Sequence, residues 1–157
     1  MYRISGDSDH PLVSTLLLLT GPEFKSLSCL HARIQLELTE RPTDTKPGRF
    51  SHSSTMRIGV RHLLELLGNS TRADELFVDV CQRLLIDYDK QLKTKINVFL
   101  FRDDLPRLLP LQSNLTLHGI RGSRNLVLRC ALEFLRTAAE KPRGWSRIVA
   151  LARESLK

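Results

Sequence analysis

The clearest pattern along the chain is a strict alternation of apolar and polar residues in LHARIQLELTE, residues 30–40. Apolar side chains occupy every second position: Leu30, Ala32, Ile34, Leu36 and Leu38. A period of two predicts a β-strand with one buried and one solvated face. A sheet with a solvated face favours antiparallel pairing over a parallel sheet that is covered on both sides.

Two further stretches predict strands, and two predict irregular connections. TKINVFLFRDD, residues 94–104, is rich in β-branched and aromatic residues, and we expect both of its faces to be largely covered. LTLHGIRG, residues 115–122, predicts a short strand, whereas the two prolines of LPRLLP, residues 105–110, indicate a connector. The proline, glycine and hydroxyl residues at 41–55 predict a long polar loop.

Apolar residues spaced three and four apart predict helices over 56–68, 72–91, 124–140 and 145–156. The third is apolar nearly all round and should be buried, with Arg129 and Arg136 partnered in a ladder of alternating charge. These elements predict a single α+β domain over residues 1–157. About four helices pack on an antiparallel sheet of about four strands around one aliphatic core. An α/β layout is the alternative.

The apolar run LVSTLLLLTG, residues 12–21, is too short to span a bilayer. Asp7 and Asp9 stand where a signal peptide would carry positive charge. We therefore expect an intracellular protein, cytoplasmic or nuclear, with no transmembrane segment.

The net charge of +7 is concentrated near the C-terminus. Residues 1–120 hold 15 Lys and Arg against 14 Asp and Glu, whereas residues 121–157 hold 9 against 3. Solubility is one explanation of this excess. The other is a polyanion-binding surface on a basic helix at 144–157 that contacts nucleic acid, anionic lipid or an acidic protein. The predicted binding set is Lys141, Arg143, Arg147, Arg153 and Lys157.

The opposite side of the same helix carries a stripe of apolar residues. This stripe packs on the protein's own core, on a protein partner or on a second copy of the chain. The predicted docking residues are Trp145, Ile148, Val149 and Leu156.

Catalytic chemistry has weaker support. Asp103 and Asp104 follow one predicted strand and His118 lies on the next, so an unrecognised hydrolase or transferase site is the alternative function. A polar turn is the simpler interpretation. Cys29 and His31 would share the solvated face of the first strand, but no third residue orients them.

Known motifs and metal-ligand spacings are missing from the sequence, which has no P-loop, GxGxxG, GxSxG, HExxH or EF-hand loop. Cys29, Cys81 and Cys130 have no metal-ligand or disulfide spacing, and the last two are expected to be buried thiols. We predict no catalytic residue, metal or cofactor, and hence a non-enzymatic binding or scaffold protein.

A half-exposed strand, central helices and a basic surface are together similar to compact matrix or accessory proteins of negative-strand RNA viruses. That resemblance implies an assembly or host-interaction role. The proline-rich late-domain signals and lysine-rich N-terminus of many such proteins are absent from this sequence, so no residue roles follow from it.

Overall fold

The computed structural model describes residues 11–40, 51–69 and 71–155. In these residues the chain forms two strands and six α-helices, which confirms the predicted α+β class. Short 3₁₀ turns at Tyr88–Lys90 and Arg102–Asp104 flank the second strand. The elements are β1 (Leu12–Thr20), α1 (Gly21–Glu40), α2 (His52–Asn69), α3 (Thr71–Leu85), β2 (Lys93–Phe101), α4 (Leu105–Leu117), α5 (Arg124–Ala139) and α6 (Pro142–Ser155).

The two strands pair antiparallel over their full length, from Leu12 opposite Phe101 to Thr20 opposite Lys93. The expectation of about four strands is therefore wrong, since the sheet of the described residues has two. The apolar run at 12–21, too short to span a bilayer, supplies β1. Its neighbour β2 confirms the strand predicted from residue 94 onward.

Side chains occupy both outer edges of this sheet. On the β1 edge, the Leu18 N–H donates to Asn125 Oδ1 at 2.8 Å, and the Leu18 carbonyl accepts from the Tyr88 hydroxyl at 2.8 Å. On the β2 edge, the Phe99 N–H donates to Ser53 Oγ at 3.0 Å. Backbone groups that a third strand would need are thereby already bonded at these two positions.

The alternating stretch at 30–40 is not a strand but the second half of α1. Leu30, Ile34 and Leu38 are buried, whereas Leu36 is largely exposed and Ala32 is exposed. Three of the five alternating residues are thus also spaced four apart, which is one helical face. The alternation therefore contains a helical stripe that the period-two interpretation overlooked.

Residues 105–117 form α4 and residues 118–122 are turn and irregular structure, so the predicted connector and the predicted third strand are both wrong. Pro106 lies in the first helical turn, where its missing N–H would have no intrahelical partner. Pro110 lies inside the helix and removes one backbone hydrogen bond, but the helix continues to Leu117.

The other predicted helices are present with shifted boundaries, and α1 and α4 raise their number to six. Helix α2 begins at His52, so 52–55 are helical rather than loop, and residues 41–50 lie outside the described residues. Helix α3 ends at Leu85 instead of near 91, because Asp87 adopts a left-handed φ of 57°.

All eight elements contribute to one contiguous cluster of buried apolar side chains. Helix α5 lies at its centre, with ten buried residues, as its nearly all-round apolar pattern predicts. Arg129 is buried among them. It donates to both carboxylate oxygens of Glu23 at 3.0 Å and to the Leu84 carbonyl at 2.7 Å, and it lies 3.8 Å from the Tyr88 ring centre.

The predicted charge ladder on α5 is therefore only partly formed. Arg136 contacts Glu133 and Glu140, as expected. Arg129 does not contribute to the ladder, because it is buried in the core and pairs with Glu23 on α1.

Candidate functional site

The predicted polyanion-binding set on α6 offers fewer available cations than its sequence indicates. Lys141 and Arg143 are exposed. Arg147 bonds to both carboxylate oxygens of Glu65, and this bond raises the pKa of the guanidinium. Arg153 is half buried, and its Nη2 atom is buried without a hydrogen bond. Of the four members of this set that the structure describes, Lys141 and Arg143 are therefore the exposed cations that form no ion pair, whereas Arg147 is exposed but paired.

The predicted docking stripe holds α6 on its own chain. Ile148 is fully buried and Val149 is half buried. Trp145 packs under Arg33, whose guanidinium carbon lies 3.7 Å from the ring centre, and its indole N–H donates to Glu37 at 3.3 Å. The buried part of the stripe is thus not available to a partner. The last members of the two predicted sets, Leu156 and Lys157, lie outside the described residues.

The alternative catalytic group is not assembled. Asp104 and His118 flank opposite ends of the 13-residue helix α4, about 20 Å apart along its axis. Asp104 is buried and paired with Arg61 at 2.8 Å, whereas Asp103 is exposed. His118 is exposed, and its Nδ1 lies 2.9 Å from the Asn114 carbonyl oxygen. These groups therefore share no pocket.

The second candidate pair, Cys29 and His31, lies on helix α1. Residues two apart on a helix do not face each other, so the shared face expected for a strand does not exist. Within residues 11–40, 51–69 and 71–155, no three His, Cys, Asp or Glu side chains are grouped so that they could hold a metal ion. Cys81 and Cys130 are buried, as predicted, and burial raises the pKa of the Cys130 thiol.

The exposed face of the two-stranded sheet presents a different candidate surface. Alternate residues of each strand point away from the core, and six of these are exposed. We call them the outer sheet face: Ser14, Leu16, Lys93, Lys95, Asn97 and Phe99. The expectation that both faces of β2 are covered is wrong, because only its Val98 and Leu100 side is buried.

Charge on this face is of one sign. Lys93 and Lys95 carry the only charged side chains of β1 and β2, and neither strand contains an acidic residue. Successive outward positions along a strand are about 6.8 Å apart, so the two ammonium groups follow one row. Lys93 Nζ also lies 4.7 Å from the Tyr88 ring centre, and this cation–π contact positions the ammonium group at one end of the row.

The other end of β2 is bordered by more positive charge. The guanidinium carbons of Arg57 and Arg61 lie 5.4 and 4.6 Å from the Phe101 ring centre. Arg61 and Arg107 both contact Asp104, whose single charge they share. Arg102 follows Phe101 and is exposed, as is Asp103 beside it. We call four arginines of the described residues the arginine cluster: Arg57, Arg61, Arg102 and Arg107.

Between the lysine row and the arginine cluster lies an exposed aromatic ring. Phe99 is 47% exposed, and its diagonal neighbour on β1, Leu16, is 46% exposed. Polar residues stand directly across from both, because Ser14 pairs with Phe99 and Asn97 pairs with Leu16. The Phe99 N–H donates to Ser53 Oγ at 3.0 Å and the Phe99 carbonyl accepts from Arg57 at 2.6 Å, so the backbone at Phe99 is held on that edge.

Comparisons with protein-family models, curated proteins and solved structures found no match to this chain. Within the described ranges, no helix has both the length and the apolar character needed to cross a membrane. A function for this chain therefore has to be inferred from the positions, exposure and charges of its own side chains.

Sequence reasoning missed the outer sheet face, although its signal is present in KTKINVFLF. Lys93, Lys95, Asn97 and Phe99 occupy alternate positions there. The aromatic residues drew attention to burial, whereas the period-two spacing of the two lysines and the asparagine marks the solvated side.

Proposed function

We propose that the protein is a non-enzymatic binding protein that contacts nucleic acid through the outer sheet face and the arginine cluster. The observation that carries this proposal is the row formed by Lys93, Lys95 and Phe99, which combines positive charge with an exposed ring and contains no acidic residue. Basic residues that neutralise phosphates supply sequence-independent affinity. The proposal keeps the binding class predicted from sequence and moves the surface from α6 to the sheet.

Nucleic acid suits this face better than a membrane surface does. Leu16 and Phe99 are diagonal neighbours, and each is paired across the strands with a polar residue, Asn97 and Ser14 respectively. These polar residues and the two lysines interrupt the apolar area of the face, which therefore lacks the continuous apolar side of a helix that enters the acyl boundary. Flat sheet faces with exposed rings and flanking cations are instead typical of proteins that bind nucleic-acid strands.

An acidic protein segment would pair with the lysines, but its carboxylates do not stack on the exposed ring, whereas a nucleic-acid base does. Arg57 and Arg61 beside Phe101 are already bonded to the Phe99 carbonyl and to Asp104, so they support nucleic-acid binding through the positive charge they place at this end of the sheet. An intracellular location, expected from the sequence, belongs to the same proposal and agrees with the free state of Cys29, Cys81 and Cys130.

Fluorescence anisotropy with a labelled single-stranded RNA tests this function, measured at about 50 and 200 mM salt. We expect a dissociation constant that rises steeply with salt. The double variant Lys93→Gln/Lys95→Gln should weaken binding and reduce the slope of log K against log salt by about 1.4, because each single-strand phosphate contact contributes about 0.7.

The matched control is Lys141→Gln/Arg143→Gln on α6, which removes the same net charge from the surface that the sequence predicted. This variant should leave affinity nearly unchanged. Absence of RNA binding at low salt would refute the proposal, as would equal losses in the two variants. Tighter binding to anionic vesicles, or displacement of RNA by polyglutamate at lower charge concentration than by unlabelled RNA, would reassign the face to lipid or to an acidic protein.

A further inference from the structure

We infer that the ligand of the outer sheet face is an unpaired nucleic-acid strand, one base of which stacks on the ring of Phe99 while its phosphates follow Lys95 and Lys93. This inference rests on the proposed function and specifies its ligand. It assigns recognition of the strand to an aromatic contact as well as to charge.

The exposure of Phe99 is the first step. The residue is 47% exposed, although its neighbours Val98 and Leu100 on the same strand are buried. The backbone on both sides is held by the pairing with Ser14 and by the bonds with Ser53 and Arg57. A ring presented from a fixed backbone loses little conformational freedom on binding, which is what a stacking platform requires.

The order of side chains along β2 is the second step. Lys93, Lys95, Asn97 and Phe99 form one row about 20 Å long, with charge at one end and the ring at the other. A strand laid along this row can place phosphates beside the ammonium groups and a base over the ring at the same time. Asn97, between them, offers an amide donor and acceptor to a base edge.

The accessibility of bases is the third step. In a duplex, the base faces are stacked within the helix, so a ring on a flat sheet reaches only phosphates and groove edges. In an unpaired strand every base offers a face, and stacking on an aromatic side chain tolerates any sequence. Phe99 therefore favours a single strand, whereas the lysines alone would not distinguish the two forms.

A comparison of three ligands on the unaltered protein tests the inference. Each has about ten residues, within the site sizes of single-strand binders: an RNA single strand, the same sequence as a duplex, and an abasic strand with the same phosphates. We expect the abasic strand to bind about 5- to 150-fold more weakly than the RNA strand, since that range corresponds to one stacked base. The duplex should also bind more weakly than the strand.

Variants of two similarly exposed residues locate the effect. Phe99→Ala should produce a loss of the same size for the RNA strand and almost none for the abasic strand, while Phe99→Trp should retain binding. Leu16→Ala, at 46% exposure on the same face, is the matched control and should change affinity less than about threefold. Far-UV circular dichroism checks that each variant is folded.

Two kinds of failure are distinguishable. If single strand, duplex and abasic strand bind equally, and Phe99→Ala changes nothing, the stacking inference is wrong while the proposed function stands on charge alone. If none of the three ligands binds at low salt, the proposed function itself fails.

Discussion

Replacing Arg129 tests whether the fold depends on one buried ion pair. Its side chain is only 3% exposed, and it joins Glu23 on α1, the Leu84 carbonyl at the end of α3 and the Tyr88 ring. Arg129→Met keeps most of the aliphatic length but leaves the Glu23 carboxylate, 16% exposed, without its cation. Removing one partner of a buried pair costs about 3–5 kcal/mol.

For a chain of 157 residues, this loss corresponds to a fall in Tm of about 6–20 °C. Urea denaturation followed by circular dichroism measures the free energy of unfolding directly. The control is Arg136→Met on the same helix, since Arg136 is 42% exposed and its pairs with Glu133 and Glu140 are solvated. That variant should lose less than about 1 kcal/mol.

A double variant separates the unpaired charge from the lost packing. Glu23→Gln removes the charge and keeps an oxygen that accepts the Thr20 N–H. Combined with Arg129→Met, it should recover about 1–3 kcal/mol relative to Arg129→Met alone. The reasoning is refuted if Arg129→Met costs no more than Arg136→Met, or if the double variant is no more stable than the single one.

Three other outcomes follow from local geometry. A Cβ on Gly144 would lie 2.1 Å from the Ala138 carbonyl oxygen. Gly144→Ala should therefore lower the free energy of unfolding in urea by about 1–3 kcal/mol. The control is Gly68→Ala, where a Cβ meets open space and should stabilise the helix by up to about 1 kcal/mol. Burial lowers the pKa of His62 below the ordinary histidine value of about 6.5. As pH falls through that value, His62 is protonated more readily in the unfolded chain than in the folded one, so the free energy of unfolding falls. His62→Leu should flatten that decline between about pH 7 and 5; an unchanged slope would contradict it. Thiol titration of the native protein should show one fast-reacting group, Cys29, because the other two thiols are buried.

Helices α2, α3 and α6 could be predicted because each has a dominant apolar stripe, and α5 because it is apolar nearly all round. These helices and the strand predicted from residue 94 onward indicated the fold class. Helix α1 could not be predicted from alternation alone, since Leu30, Ile34 and Leu38 satisfy both periods. One overlooked signal was available. Thr20 and Glu23 form a capping box, in which Thr20 N–H donates to Glu23 at 2.9 Å and Glu23 N–H donates to Thr20 at 3.3 Å.

The candidate site was harder to predict because it depends on contacts between distant parts of the chain. The sequence predicts that Arg147 is available to bind a polyanion, but its guanidinium donates to Glu65, which is 82 residues away in the chain. The composition of β2 predicted a buried Phe99, but among the described residues the sheet has two strands and the core covers only the face that carries Val98 and Leu100. Asn125 and Tyr88 bond to the Leu18 backbone, which a third strand beside β1 would need. Both residues are far from Leu18 in sequence, so no local pattern predicts that the sheet ends there.

The most direct test of the central claim is ultraviolet cross-linking of the unaltered protein to a uridine-rich single strand, followed by mass spectrometry of the peptides. We expect cross-links to concentrate in β2, at Phe99 and its neighbours, and to disappear when salt is raised to about 200 mM. Cross-links confined to α6, around Trp145, would contradict it and return the binding surface to the C-terminal helix.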